Sequence, residues 1–266
     1  MPAWIGVAIL LTVATGALAA PWLTAADPMI INPLARLKPP TSAHPFGTDM
    51  YGRDVWARTI YGGRVSLLVG ITVAVLSVVA GAAIGLVSGY VRWLDAVVMR
   101  VLDGLMAIPA VLLAIALMAL TRPSVWNVIV AISVAEVPRV ARLVRGSVLT
   151  LREEVFVQGA IAAGTRFPKL LLRHILPNIT AALIVQGSYV FAAAILIEAA
   201  LSFLGVGAPP TIPSWGNIVA EGRSYLALAW WIVLIPGLFL AVTVLAVNLI
   251  GDGLRDALDP RMANQA

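Results

Sequence analysis

Cysteine does not occur among the 266 residues, so neither a disulfide framework nor a thiolate metal site can form. Lysine occurs only as Lys38 and Lys169, and neither follows a glycine run. A phosphate-cradling G-x-x-x-x-G-K-[ST] loop is therefore missing, which excludes ATP hydrolysis by that route. The two histidines, His44 and His174, fall on opposite sides of a bilayer in the topology derived below, which argues against a histidine metal centre within one chain. Charge is scarce at 12% of residues, against about a quarter in soluble domains. Apolar residues make up 61%, and the mean hydropathy is +0.96. This composition predicts an all-α integral membrane protein. The net charge of +5 then reflects orientation and lipid contact rather than nucleic-acid binding.

A helix rises 1.5 Å per residue, so about 20 apolar residues cross the hydrocarbon core. Six stretches qualify: 3–22, 65–90, 98–120, 124–144, 180–203 and 228–250. The fourth is the weakest, because Glu136, Pro138 and Arg139 crowd its end; residues 139–150 read as a helix emerging into water. Six spans place both termini on one side. Basic residues cluster from Arg139 to Arg173, with Arg92, Arg100, Arg255 and Arg261 on the same side, so this side is expected to be cytoplasmic. The 23–64 loop is also basic, but long translocated loops weigh less. Residues 16–21, GALAAP, resemble a signal-peptidase site. No Lys or Arg precedes them, so a retained helix is expected, with room for an initiator further upstream. The chain divides into 1–60 (first helix and outer loop), a core of 61–252 containing the loop 151–177, and a tail of 253–266.

Ser77, Gly81, Gly85 and Gly89 recur every four residues, a spacing that lets two helix backbones approach closely. Glycine is also common in membrane helices generally, so the stripe concerns packing and not chemistry. Glu198 lies deep in the fifth span, where a lone charge costs about 3 kcal/mol or more. It either lines a pathway or holds subunits in register, or it bonds locally to Ser202 or the backbone. Glu136 is expected to pair with Arg139 or Arg142. Outside the spans, Asp49, Arg53, Asp54 and Arg58 recur at helical spacing and predict a short interfacial helix. They are either a docking surface, together with 205–223, or a self-paired cluster closing the outer mouth.

Residues 151–177 read LREEVFVQGAIAAGTRFPKLLLRHILP. Glu153 and Glu154 suit the start of a helix. Val155, Phe156, Ile161 and Ala162 are spaced for one face. Gly164 punctuates, Thr165 is a good N-cap, a basic helix follows over 166–174, and Pro177 is expected to end it. Such a segment can lie on anionic lipid or offer a knob to a partner's groove.

The spacing here resembles the cytoplasmic loop of permease subunits of binding-protein-dependent ABC importers: Glu-Ala-Ala, three residues, Gly, nine residues, then x-x-Leu-Pro. Gln158, Gly159 and Ala160 occupy the Glu-Ala-Ala positions, followed by Gly164 and by Leu176-Pro177. Gln158 departs from the family Glu and Gly159 from the first Ala, so the salt bridge a Glu would make to an ATPase is not expected. HPFGTDMYGRDVWARTIYGGRVSL (44–67), EAALSFLGVG (198–207), PSWGNIV (213–219) and NLIGDGLRDALDPR (248–261) resemble further blocks of the dipeptide, oligopeptide and nickel permeases.

The resemblance implies a C-type permease with the type I ABC importer fold, in a bacterial or archaeal plasma membrane, and not itself an enzyme. It further implies a B-type permease partner, one or two cytoplasmic ABC ATPases that bind ATP and Mg, and an extracytoplasmic solute-binding protein. Arg166, Phe167 and Lys169 become ATPase contacts, with a lipid-facing basic surface as the alternative, and the tail either braces the ATPase or is a solvated end. Short peptides are the expected solute, as the commonest in the group; nickel, haem or another small solute is the alternative. A stand-alone carrier or channel using Glu198 and Glu136, and a scaffold without transport, are the readings from other classes.

Overall fold

Side-chain caps and prolines set where the helices begin and break. The computed structural model describes residues 2–24 and 26–258, and among these all regular structure is helical. Helix α1 (Pro2–Leu18) is uncharged, and a further turn, Ala20–Leu23, prolongs it. Helix α2 (Val55–Tyr90) runs for 36 residues. Its start is fixed by Asp54, whose carboxylate accepts the Ala57 N–H at 2.8 Å, taking up one of the free amide donors of a helix end.

The predicted span 98–120 is corrected. Helices α3 (Arg92–Met106) and α4 (Ala110–Ala119) meet at an 89° bend. Pro109 disfavours helical geometry at Ile108 and stands at the N-cap of α4. The charged face of α3 is riveted to α5 (Val125–Leu151): Arg145 forks onto Asp95, with Nη2 at 2.6 Å from Oδ2, and Arg142 pairs with Asp103. In the same helix Arg139 holds Glu136 at 3.0 Å, one of the two expected pairings.

Helix α6 (Val155–Ala162) follows, then one turn, Phe167–Leu170, and a widened π-type turn, Leu171–Ile175. The latter runs without a break into α7 (Leu176–Phe203). Helices α8 (Trp215–Gly222) and α9 (Trp231–Leu258) complete the chain. By length and apolarity α2, Phe167–Phe203 and α9 can each cross a bilayer; the α3–α4 pair counts as a fourth if taken as one span, and α1 is apolar but shorter.

The glycine stripe is where the bundle closes. A Cβ on Gly81 would stand 2.6 Å from Val140 Cβ, one on Gly85 2.5 Å from the Ala141 carbonyl, and one on Gly89 2.8 Å from Val148 Cβ. Ser77 is buried on the same stripe. Both series of numbers rise together, so α2 and α5 run parallel. Against α7 the order reverses, Gly70 meeting Ile195 and Gly187 meeting Val78. Helix α1 lies antiparallel on α9, with Gly6 against Ala246 and Gly253 against Ala3. Both described chain ends therefore lie at one end of the bundle. Val69, Val73, Ile129, Ile132, Val190 and Leu201 lie in the apolar core between α2, α5 and α7.

Candidate functional site

The 151–177 loop is built around a left-handed residue. Gly164 has φ +80°. Its N–H reaches the Ile161 carbonyl at 2.9 Å, and the Thr165 N–H reaches that of Ala160 at 3.0 Å. This pair of bonds closes α6 with a Schellman motif and satisfies its last carbonyls. Among the described residues, nothing beyond its two chain neighbours lies within 4 Å of where a Gly164 side chain would start, so backbone geometry and not local crowding is what selects glycine here.

Thr165 does not cap the next turn; Arg166 stands at the N-cap position, in extended geometry and without a side-chain capping bond, with Pro168 in the first turn. The Thr165 amide is taken up by the Schellman closure of the preceding helix, one residue before the turn's N-cap position. Pro177 does not end the helix either. Proline leaves the carbonyl four residues back without a donor and crowds it. The widened turn removes that clash: the Leu176 N–H bonds to the Leu171 carbonyl, and Asn178 Nδ2 donates to the His174 carbonyl at 2.7 Å.

The expected apolar face of α6 is not buried. Val155, Phe156 and Ile161 are exposed, and Val157 is the residue turned inward. Gln158 Nε2 donates to the Arg152 carbonyl at 2.7 Å, tying α6 to the end of α5. Gly159, Arg166 and Lys169 are exposed, Ala160 and Leu176 are half-buried, and Pro177 is exposed. The Phe167 ring lies 5.2 Å from that of Tyr90 at the end of α2. The result is a protruding, mixed apolar and basic surface mounted directly on a 37-residue helix, Phe167–Phe203.

At the opposite end the expected interfacial helix over 49–58 is absent. Residues 49–54 form a turn with Gly52 at φ +74°, and the helix starts only after Asp54. The charged side chains point inward. Asp49 Oδ2 accepts from Arg53 at 2.6 Å and Arg58 at 2.7 Å, and both guanidinium groups also reach Glu221 of α8, at 2.5 and 2.7 Å. Asp49 and Arg58 are fully buried and Arg53 is buried. His44 covers Asp54 at 2.7 Å. These four residues therefore offer no docking surface of their own; they lock the 26–54 loop onto the bundle. Removing one member of a buried, paired group strands the other charges. Asp49→Asn is expected to lower stability by about 3 kcal/mol, read as a fall in the thermal unfolding midpoint of the detergent-purified chain.

Glu198 is fully buried. Its Oε1 accepts from Ser202 at 3.0 Å, as one sequence alternative held, and also from Ser214 at 2.8 Å. Ser214 in turn caps α8, accepting the Asn217 N–H at 3.1 Å. Asn217 Nδ2 gathers the carbonyls of Ala208, Pro209 and Ile212, and Trp215 Nε1 donates to the Thr59 carbonyl at 2.9 Å. The sequence reading missed Ser214, Asn217 and Glu221. A Ser directly before Trp-Gly-Asn is an N-cap signal that would have found the first; nothing local marks Glu221. At the tail, Asp252 accepts from Tyr189 of α7 at 2.7 Å, while Asp259 and Arg261 lie outside the described residues.

The model of the family described as "Binding-protein-dependent transport system inner membrane component" matches residues 77–264. The chain is 51% identical over 258 residues to a putative peptide transport system permease protein of Brucella suis, covering 97% of this chain and 87% of that one. It is 43% identical to a dipeptide transport system permease protein of Alkalihalophilus pseudofirmus, covering 97% and 85%. An inward-facing structure of the MetNI methionine ABC transporter shares the fold, with TM-score 0.64 at 18% identity over 75% of this chain and 95% of that one. Helix packing, loop spacing and relatives agree: the chain belongs to the binding-protein-dependent transport family, as a membrane-embedded permease component of an ABC importer.

Proposed function

We propose that this subunit forms half of the channel of an ATP-driven importer of short peptides, paired with a B-type permease. One or two ABC ATPases bind ATP and Mg and drive it, and an extracytoplasmic binding protein delivers the solute. The 151–177 end and both termini face the cytoplasm of a bacterial or archaeal cell. Peptides are chosen over nickel or haem because the relatives described above are named for peptide and dipeptide transport.

The observation that carries the coupling role is the exposed Gly164 turn with Arg166, Phe167 and Lys169 beside it, continuous with the Phe167–Phe203 helix. A knob seated in an ATPase cleft moves as a rigid body with the helix it is part of. Gln158 is engaged with the Arg152 carbonyl, so the contact to the ATPase falls to the residues after Gly164. Glu198, enclosed by two serines, gives no support to a gradient-driven carrier.

The test is a pulldown from native membranes in mild detergent with an ATPase assay, beside Gly164→Asp. Wild type is expected to bring down nucleotide-hydrolysing subunits that the variant loses or uncouples. A chain that purifies alone under every mild condition would sink the reading.

A further inference from the structure

Helix α7 and the turn before it make one rod from Phe167 to Phe203, about 55 Å at 1.5 Å per residue. Its near end carries the exposed Gly164 turn. Its far end carries Glu198, which is joined to α8 by the Ser214 hydroxyl at 2.8 Å. The joint has no slack. A Cβ on Gly216 would stand 2.6 Å from Ala199 Cα and 3.2 Å from Glu198 Oε2, so the backbones of α7 and α8 touch. A buried carboxylate is costly in this setting, and a local helix crossing of small residues does not require one.

The other end of α8 is tied just as firmly. Glu221 takes Arg53 and Arg58, and through them Asp49 and the outer loop. Separately, Trp231 Nε1 of α9 bonds to the Thr48 carbonyl at 3.1 Å and holds the same loop from that helix. An unbroken series of polar contacts thus joins α7 to α8 and α8 to the loop over 26–54.

We propose that Glu198 and Glu221 are positioning residues of the transport cycle: through them α8 and the outer loop follow α7, so that movement of the Gly164 turn is delivered to the outer face. The inference rests on the coupling role given above to that turn. It makes α8 the element that registers the binding protein's arrival and reports it back along the same rod, since coupling between two sites is reciprocal.

The experiment uses the whole importer in lipid nanodiscs. It reads ATP hydrolysis with and without binding protein, and peptide uptake in proteoliposomes. Ser214→Ala and Glu198→Leu are expected to lower the stimulation by binding protein about tenfold while unstimulated hydrolysis, which belongs to other subunits, is kept. Glu198→Gln retains an acceptor for both serines and is expected to keep most of the stimulation, as is Ser214→Thr. A purely structural role would damage both rates together.

Because Glu198→Leu can fail to fold, a second readout uses spin labels at Leu34 and Leu172, both exposed, in a chain without cysteine of its own. Their separation is expected to stay fixed on nucleotide trapping in wild type, where loop and rod move together, and to change in Ser214→Ala. Full stimulation and a separation that stays as fixed as in wild type in Ser214→Ala would overturn the relay, as would a Glu198→Gln variant as damaged as Glu198→Leu. If Gly164→Asp also hydrolyses and transports normally, the coupling reading itself fails; if only the Ser214 and Glu198 variants behave as wild type, the relay alone does.

Discussion

Gly164→Val lowers ATP-driven uptake about tenfold or more, and Gly164→Asn leaves most of it. The two substitutions separate two reasons for a glycine. At φ +80° an ordinary L-residue pays about 1–2 kcal/mol, a β-branched one more, while Asn tolerates the left-handed region. About 1.4 kcal/mol is a factor of ten in the population of the competent turn. The described residues leave the site open, with none beyond its chain neighbours within 4 Å. Tolerance of Asn with loss in Val identifies backbone geometry as the requirement. Loss in both locates the requirement in a partner surface that closes on the turn. Uptake of labelled dipeptide into proteoliposomes, normalised to reconstituted importer, reads both.

Gly85→Val prevents accumulation of folded protein. The new Cβ would stand 2.5 Å from the Ala141 carbonyl and 2.7 Å from Val144 Cβ. Neither neighbour is the end of a flexible chain, so α2 and α5 must separate along the stripe shared by Gly81, Gly85 and Gly89. Overpacking of a tight core costs about 3 kcal/mol or more where the backbone must move. Without hydrophobic driving force between helices, close packing is what holds them together in lipid. Gly237→Val, in open surroundings on α9, is the control and is expected to cost below about 1 kcal/mol. Yield and thermal midpoint in detergent distinguish the two; equal effects would remove the stripe from the account of stability.

The sequence makes some of this visible because the relevant physics is local. A four-residue glycine repeat marks a close helix contact whichever helix supplies the other side, and a glycine between two amphipathic stretches marks a left-handed turn. Distant pairings leave no such mark. Asp49, Arg53 and Arg58 have the spacing of an exposed helix face, and what turns them inward is Glu221, 163 positions beyond Arg58. The break at Ala107–Pro109 hides in an apolar run because hydropathy does not register direction. Pro177 reads as a terminator because a pattern of residue types cannot show that a widened turn has already made room for its ring. Glu198 left two alternatives open, since Ser202 is within one helical turn but Ser214 reaches it only after the chain folds back through α8.

The widened turn at Leu171–Ile175 acts as a phase shift in a periodic object. Each residue added to a helix rotates what lies beyond it by about 100°. By absorbing one residue as a bulge, the chain sets the azimuth of Phe167 and Lys169 independently of the faces that α7 presents to α2 and α9. Length in this stretch therefore carries information separate from composition. Exchanging residues there alters surface chemistry, whereas gaining or losing a single one re-aims the whole protruding edge with every side chain still present.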